Sequence, residues 1–117
     1  MPIHLKRAYD PPEPRDGFRI LVDRLWPRGV TKNEAHIDLW LKDVAPSTEL
    51  RKWFGHDPAK WADFQARYRK ELDHNSEPVA RIVEQVHQRT VTLVYGAKDR
   101  MHNDAVVLKA YLDDKLK

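Results

Sequence analysis

Two clusters of charged and polar side chains follow two apolar segments of the chain. The first cluster follows residues 18–22, and the second follows residues 90–95. The members of the two clusters are Asp23, Arg24, Trp26, Arg28, Tyr95, Lys98, Asp99 and Asn103. If both segments are parallel strands, their carboxyl ends open on the same edge of a sheet, where ligands bind in open α/β folds. Cations beside carboxylates at such an edge would hold and polarise an anionic ligand.

The first cluster contains the step best suited to anion capture. Arg28 precedes Gly29, and an arginine fork beside a glycine, where backbone approaches closely, suits bidentate binding of phosphate or carboxylate. The same dipeptide also occurs in ordinary turns. Asp23 and Arg24 have two interpretations of equal weight, namely anchoring the loop or contacting a ligand. Trp26, which precedes a proline, is more typical of packing at a core edge than of ligand stacking.

The second cluster surrounds the predicted start of the last helix. Gly96 allows a sharp turn, and Asp99 is predicted to cap the helix. Lys98 would add a positive charge beside a helix N-terminus, whose free N–H groups and dipole favour anions. Asn103 would either face the strand edge or cap backbone, and the sequence does not decide between the two. The glycine spacings of a P-loop and of a Rossmann fold are both missing.

Three side chains are candidates for proton transfer if the protein is an enzyme: Asp23, Tyr95 and His56. His56 follows a predicted helix end, where an imidazole would hydrogen-bond the last carbonyls, and its residue type also titrates near neutral pH. Ser47 is a predicted helix N-cap without a Gly-x-Ser-x-Gly elbow. A sequence shows neither a displaced pKa nor a productive geometry, so catalysis stays an open question.

Metal and cofactor sites are not predicted. The six histidines are never three, four or five positions apart, and cysteine is absent. A histidine pair on one helix face is therefore not expected, and thiolate metal sites and disulfides are excluded. The chain has 117 residues, of which 41% are hydrophobic and 33% charged. These values are typical of one soluble globular domain, which we expect to span residues 1–117.

The charge distribution argues for a solvated surface. The 21 basic and 18 acidic residues give a net charge of +3, and the two signs are interspersed, which makes nucleic acid an unfavoured partner. Four aromatic residues that lie between basic ones fit helical core positions better than a stacking platform: Trp53, Trp61, Phe64 and Tyr68. No segment has the apolar length of a membrane span, and the first residues do not resemble a signal peptide. We therefore expect a cytoplasmic protein, with a homodimer left open.

Short strand patterns alternate with longer helical ones. Strands are predicted at 3–7, 18–22 and 90–95, with a short edge strand at 37–41. Helices are predicted after Ser47, after Pro58, from Ser76 and over the last residues, with a helical turn at 31–35. The pattern predicts an α/β domain in which helices flank a small sheet that is at least partly parallel, with right-handed crossovers.

The string Asp-Arg-Leu-Trp-Pro-Arg-Gly at 23–29 is the most specific motif of the chain. Further motifs lie at 7–10, 18–22, 45–51, 64–72, 93–95, 98 and 102–105. Together they resemble the YeaO-like branch of the DUF488 family over nearly the whole chain. The resemblance implies a small soluble bacterial or archaeal α/β protein, and it implies no substrate, cofactor or catalytic residue. Relatives with Asn in place of Asp99 argue against an essential base there.

The sequence thus predicts a polar pocket for a small anionic ligand, such as a phosphate-bearing metabolite. Its predicted ligand-binding residues are Arg24, Arg28, Lys98 and Asn103. The alternative is a non-catalytic module that binds a protein or a nucleic acid. Cations that converge in one concavity would favour the pocket, whereas a broad basic face would favour nucleic acid.

Overall fold

The fold is built on a four-stranded sheet. In the computed structural model, which describes residues 3–117, the strands are β1 (Ile3–Arg7), β2 (Phe18–Leu21), β3 (Leu39–Trp40) and β4 (Val91–Tyr95). Their order is β1-β4-β2-β3, and all three pairings are parallel. The predicted α/β class with a parallel sheet is therefore confirmed, and β3 is a short edge strand as expected.

Five α-helices accompany the sheet. They are α1 (Lys32–Ala35), α2 (Thr48–Phe54), α3 (Trp61–Asp73), α4 (Ser76–Gln88) and α5 (Asp104–Lys115). Single 3₁₀ turns occur at Pro14–Asp16, Lys42–Val44 and Pro58–Lys60. Within residues 3–117, no helix has the length and apolar character needed to cross a membrane.

Local capping explains where the helix nearest the cavity begins and ends. The Ser47 hydroxyl accepts a hydrogen bond from the Leu50 amide at 3.1 Å and donates one to Glu71 Oε2 at 2.6 Å. α2 therefore starts at a capped position and is tied to α3 at the same point. It ends at Gly55, whose φ of 53° lies in the left-handed region that favours glycine.

The sheet has two unequal faces because successive side chains of a strand point to opposite sides. Ile20 and Leu93 face the main core, which contains side chains from α2, α3, α4 and α5. Leu21 and Val94 face a smaller cluster that is covered by Trp40 of β3 and by the loop residues Trp26 and Ile37. Both central strands are thus buried on two sides, and this explains their nearly continuous apolar sequences.

A buried ion pair anchors the amino end of β2. Arg19 is 3% exposed, and its Nη1 donates to Asp16 Oδ2 at 2.7 Å while its other guanidinium nitrogens donate to the carbonyl of Ala35. The Lys6 ammonium of β1 contacts the same Asp16 carboxylate at 3.1 Å. These contacts hold β1, β2 and α1 in a fixed relation at the end of the sheet opposite the predicted pocket.

Candidate functional site

A cavity of about 410 Å³ lies where β2 and β4 end. Residues 23–28 after β2 and residues 96–97 after β4 line it, together with residues from α2, α3 and the start of α5. Its ionisable lining residues are Tyr9, Asp23, Arg24, Arg28, Arg51, His56 and Asp104. We expected the two strand ends to lie at the same edge of the sheet. They do, because β2 and β4 are adjacent and parallel.

Two aspartates, Asp23 and Asp104, lie side by side in the cavity wall. Asp23 directly follows Val22, whose amide still bonds to the Val94 carbonyl of β4 at 3.1 Å. The Gly96 amide donates to Asp23 Oδ2 at 2.7 Å, so that carboxyl joins the end of β2 to the end of β4. Asp104 is the first residue of α5, it lines the same cavity, and its carboxyl is near enough to that of Asp23 for each to shift the pKa of the other.

The electrostatics of this pair favour a shared proton. Burial raises the pKa of Asp104 well above its ordinary 3.8, and the negative charge of Asp23 raises it further. Burial also raises the pKa of Asp23, although the Asp104 carboxyl, the Gly96 amide and the charges of Arg51 and His56 oppose that rise. Two adjacent carboxyls titrate as a unit and lose their second proton with difficulty. The pair therefore releases its last proton at a higher pH than an isolated aspartate does.

Arg24 enters the cavity wall with unused hydrogen-bonding capacity. Its Nη2 donates to the carbonyls of Ala45 and Pro46 at 3.4 Å each, which are long distances for hydrogen bonds. Its Nε is buried and has no hydrogen-bond partner among the described residues. Asp23 and Arg24 thus each bond loop backbone, and the described residues show no ion pair between them.

Three further basic side chains are exposed at the cavity: Arg28, Arg51 and His56. The Arg28 carbonyl accepts a hydrogen bond from the Tyr9 hydroxyl at 2.9 Å, which ties the loop after β2 to the loop after β1. His56 has a φ of 56° and lies just beyond the end of α2. Arg51 belongs to α2 and was not among the predicted ligand-binding residues.

Aromatic rings form the apolar part of the wall. Phe54 and Phe64 stack with ring centroids 4.2 Å apart. Trp26 meets Trp40 edge-on at 5.3 Å, and its Nε1 donates to the Val30 carbonyl at 2.6 Å. Trp26 therefore packs as its sequence context indicated, and it lines the cavity as well.

Two of the predicted site residues lie away from the cavity lining. Lys98 is exposed in the loop after β4. Tyr95 is only 2% exposed and belongs to the main core, where burial raises the pKa of its hydroxyl. The structure therefore brings Asp23, Arg24 and Arg28 together with His56, and places Tyr95 and Lys98 elsewhere.

The predicted cap of the last helix is wrong. Asn103 is the N-cap of α5, because its side-chain oxygen accepts from the Val106 amide at 3.0 Å and its Nδ2 donates to the Asp99 carbonyl at 2.9 Å. Asp99 instead closes the preceding turn by accepting from the amides of Met101 and His102 at 2.8 and 3.0 Å. The four-residue step between Asp99 and Asn103 is part of this turn, so the helix begins later than expected. Asn103 lines the cavity, and one N–H group and the oxygen of its side chain make these two bonds.

Asp104 is the functional candidate that the residue-by-residue interpretation missed. Acidic residues are common in the first turn of a helix because they complement its dipole, so nothing in the local sequence marks Asp104 as unusual. Its position in the sequence could have indicated it. Asp104 directly follows the N-cap of α5, and α5 begins close to the carboxyl end of β4. Among residues 3–117, no group of three or more histidines and carboxylates is arranged to hold a metal ion.

Comparisons with known proteins place the chain in a family. The family model described as "Inactive DUF488-N3 subclade" matches residues 2–117. The chain is 44% identical over 112 residues to the uncharacterized protein YeaO of Escherichia coli K12, with 96% of this chain and 97% of YeaO covered.

Mycobacterial proteins are also similar. The uncharacterized protein Rv3073c of Mycobacterium tuberculosis H37Rv is 37% identical over 113 residues, which cover 97% of this chain and 95% of that protein. The uncharacterized protein Mb3100c of Mycobacterium bovis shows the same values of 37%, 97% and 95%. No solved structure matches the chain. The resemblance seen in the sequence is confirmed, and the chain belongs to the DUF488 family, in the subclade described as DUF488-N3.

Proposed function

We propose that the protein binds a small anionic ligand in the cavity between the ends of β2 and β4. The observation that carries the proposal is the convergence of four basic side chains on one concavity of about 410 Å³. That volume falls within the range of roughly 300–1,000 Å³ that is usual for small-molecule sites. All of these groups belong to one chain, so the proposed site does not require a homodimer. The proposal also includes a cytoplasmic location for the protein.

The exposed cations would make the first contact with the ligand. Arg28 and Arg51 carry planar guanidinium groups that bind phosphate or carboxylate through two parallel hydrogen bonds. Both side chains are exposed at the cavity, so an anion reaches them without disturbing the core. The buried Nε of Arg24 supplies a further donor that a ligand oxygen would satisfy.

A binding role without turnover is the form of the proposal that the family description favours, since the matching subclade is described as inactive. In this role the Asp23–Asp104 pair contacts the bound ligand and does not transfer protons in a reaction. The alternative, a module for protein or nucleic acid, has less support because the cations at this edge line a concavity instead of a flat face.

A thermal-shift titration with inorganic phosphate, propylphosphonate and succinate tests the proposal. A ligand that binds only the folded state stabilises it by about 2.7 kcal/mol at a concentration one hundred times its Kd. We expect at least one of these anions to raise the Tm of the wild type in a saturable manner. Arg28→Ala should keep its ligand-free stability within about 0.5 kcal/mol, as for most surface substitutions, and should lose most of the ligand-induced shift.

Lys98→Ala is the matched control, because it removes the same charge from the same edge of the sheet outside the cavity lining. It should retain the full shift. Equal losses in Arg28→Ala and Lys98→Ala would mean that net charge alone attracts the anions. Stronger stabilisation by an oligonucleotide than by any small anion would favour the nucleic-acid alternative.

A further inference from the structure

The Asp23–Asp104 carboxyl pair indicates that the ligand carries a positive group in addition to its anionic one. We infer that the ligand is zwitterionic, with a cationic amine bound by Asp23 and Asp104 and an anionic group bound by the arginines at the cavity mouth. This inference deepens the proposed function and rests on it. It names a ligand class, namely aminoalkyl phosphonates, phosphates or carboxylates, that anion binding alone does not require.

The pair has hydrogen-bond acceptor capacity that the protein does not use. An ionised carboxylate offers about four lone-pair sites. The Asp23 side chain accepts a hydrogen bond from the Gly96 amide, and the backbone N–H groups at the start of α5 lower the pKa of the Asp104 carboxyl without cancelling its rise. Both carboxyls line the cavity. An ammonium group has three donors and no acceptor, which complements a pair of carboxylates.

The arrangement of charge across the cavity is that of a two-ended site. Arg28, Arg51 and His56 are exposed, whereas Asp23 and Asp104 are partly buried against the strand ends. A ligand that carried only negative charge would bring that charge towards the carboxyl pair, and the repulsion would offset part of the attraction to the arginines. A ligand with an amine at its inner end replaces this repulsion with attraction.

The remaining wall suits a short linker between the two ends. Phe54 and Phe64 present stacked rings to the cavity, and Trp26 contributes a third aromatic surface. Apolar walls favour methylene groups that leave water. A chain of a few methylenes that joins an amine to an anion therefore matches the order of polar and apolar groups in the lining.

Binding an amine has a proton balance that can be measured. The raised pKa values of Asp23 and Asp104 favour one proton on the free pair. When an ammonium ion binds, the carboxyl O–H bond breaks, the proton passes to solvent, and the ammonium hydrogen-bonds both carboxylates. No bond of the ligand changes. A ligand without the amine leaves that proton in place.

The test compares 3-aminopropylphosphonate with propylphosphonate by titration calorimetry on the wild-type chain. The two compounds share the anion and the linker, and only the first has an amine. We expect the amine to tighten binding by at least about tenfold, the lower end of what hydrogen bonds to charged groups contribute. Repeating the titration in two buffers with different ionisation enthalpies should show proton release with the amino compound and none with propylphosphonate.

Two variants locate the effect. Asp104→Asn should reduce the preference for the amino compound to less than about threefold, since one charged acceptor is lost, and should leave propylphosphonate binding as strong or stronger. Arg28→Ala should weaken both compounds by a similar factor. Asp63→Asn, at an exposed position of α3 outside the cavity lining, is the charge-matched control and should leave both affinities unchanged.

The outcomes separate this inference from the proposal beneath it. Equal affinity of the wild type for both compounds, or an amine preference that survives in Asp104→Asn, would overturn the zwitterion inference and leave anion binding standing. Binding of neither compound, together with no shift by phosphate or succinate, would overturn both.

Discussion

At the scale of single residues, the Asp23–Asp104 pair has a cost to stability. The pKa of Asp104 is raised by burial and by the neighbouring carboxylate, so the folded state binds a proton that the unfolded chain releases near pH 3.8. This group therefore favours folding most below pH 3.8, and its contribution falls as the pH rises from there through the raised pKa of the folded state. Buried carboxyls with strongly raised pKa values are typical of functional sites.

Asp104→Asn should consequently stabilise the ligand-free protein at pH 8. The amide does not ionise, so the substitution removes the cost of ionising a buried carboxyl. We expect a gain of about 0.5–2 kcal/mol, the range usual for a single stabilising substitution. Urea unfolding at pH 8 and pH 4 measures it, and the gain should nearly vanish at pH 4, where the wild-type carboxyl is largely protonated.

Asp63→Asn provides the comparison for the general effect of removing an acidic charge. A gain for Asp104→Asn that is the same at both pH values would argue against a shared proton in the pair. A loss of stability at pH 8 would mean that the ionised carboxyl is a necessary structural anchor of α5.

At the scale of elements, the packing of β2 against β4 depends on a glycine at the amino end of β2. Gly17 has a φ of 66°, and a Cβ at that position would clash with the Thr90 carbonyl oxygen. The neighbouring Phe18 amide donates to the same oxygen at 2.9 Å. A side chain at Gly17 therefore pushes against the backbone that sets the register of the two strands whose opposite ends form the cavity.

Gly17→Ala should destabilise the protein more than Gly29→Ala. Gly29 also has a positive φ, 75°, but its Cβ would meet nothing within 4 Å. Gly29→Ala should therefore cost only the left-handed conformation, about 1–2 kcal/mol, whereas Gly17→Ala adds a backbone clash and should cost about 3 kcal/mol or more. Chemical denaturation of both variants measures the difference. Equal losses would show that the backbone near Thr90 yields without cost.

At the scale of the whole molecule, the core lies between the sheet and the helices α2 to α5. Trp61, Phe64, Tyr68 and Leu72 follow one another along α3 at intervals of three or four residues and so share one face of the helix. Phe64, Tyr68 and Leu72 are buried, and Trp61 is only partly buried at the edge of this core. Burial therefore increases along this face of α3 from its first residue onward. Trp61 lies near the surface, where its ring centroid is 5.1 Å from that of His102.

Phe64→Ala should therefore destabilise the protein more than Trp61→Ala. Phe64 is 2% exposed and would leave a cavity, with an expected loss of about 3–5 kcal/mol. The partly exposed Trp61 ring gives up less contact, and its removal should cost about 2 kcal/mol or less. Urea unfolding of the ligand-free variants tests the order. A larger loss for Trp61→Ala would place the centre of the core further towards the first turn of α3.

The strands and helices could be predicted from the sequence because their signals are local. The β-branched run before Gly96 specifies β4, Ser47 caps α2, and the spacing of apolar residues defines α3 and α4. The specific motif at residues 23–29 likewise identified the family and the loop that supplies Asp23, Arg24 and Arg28 to the cavity. In each case, residues within a few positions of one another carry the information.

Only the tertiary structure decided which side chains meet. The turn closed by Asp99 sets the start of α5, and this places Asp104 against Asp23, 81 positions away in the chain, while Lys98 stays at the surface. The position of α2 likewise brings Arg51 to the cavity. Such meetings depend on strand order, loop path and the packing of distant elements. Neither residue type nor periodicity encodes these features, because both describe the chain only over a few turns at a time.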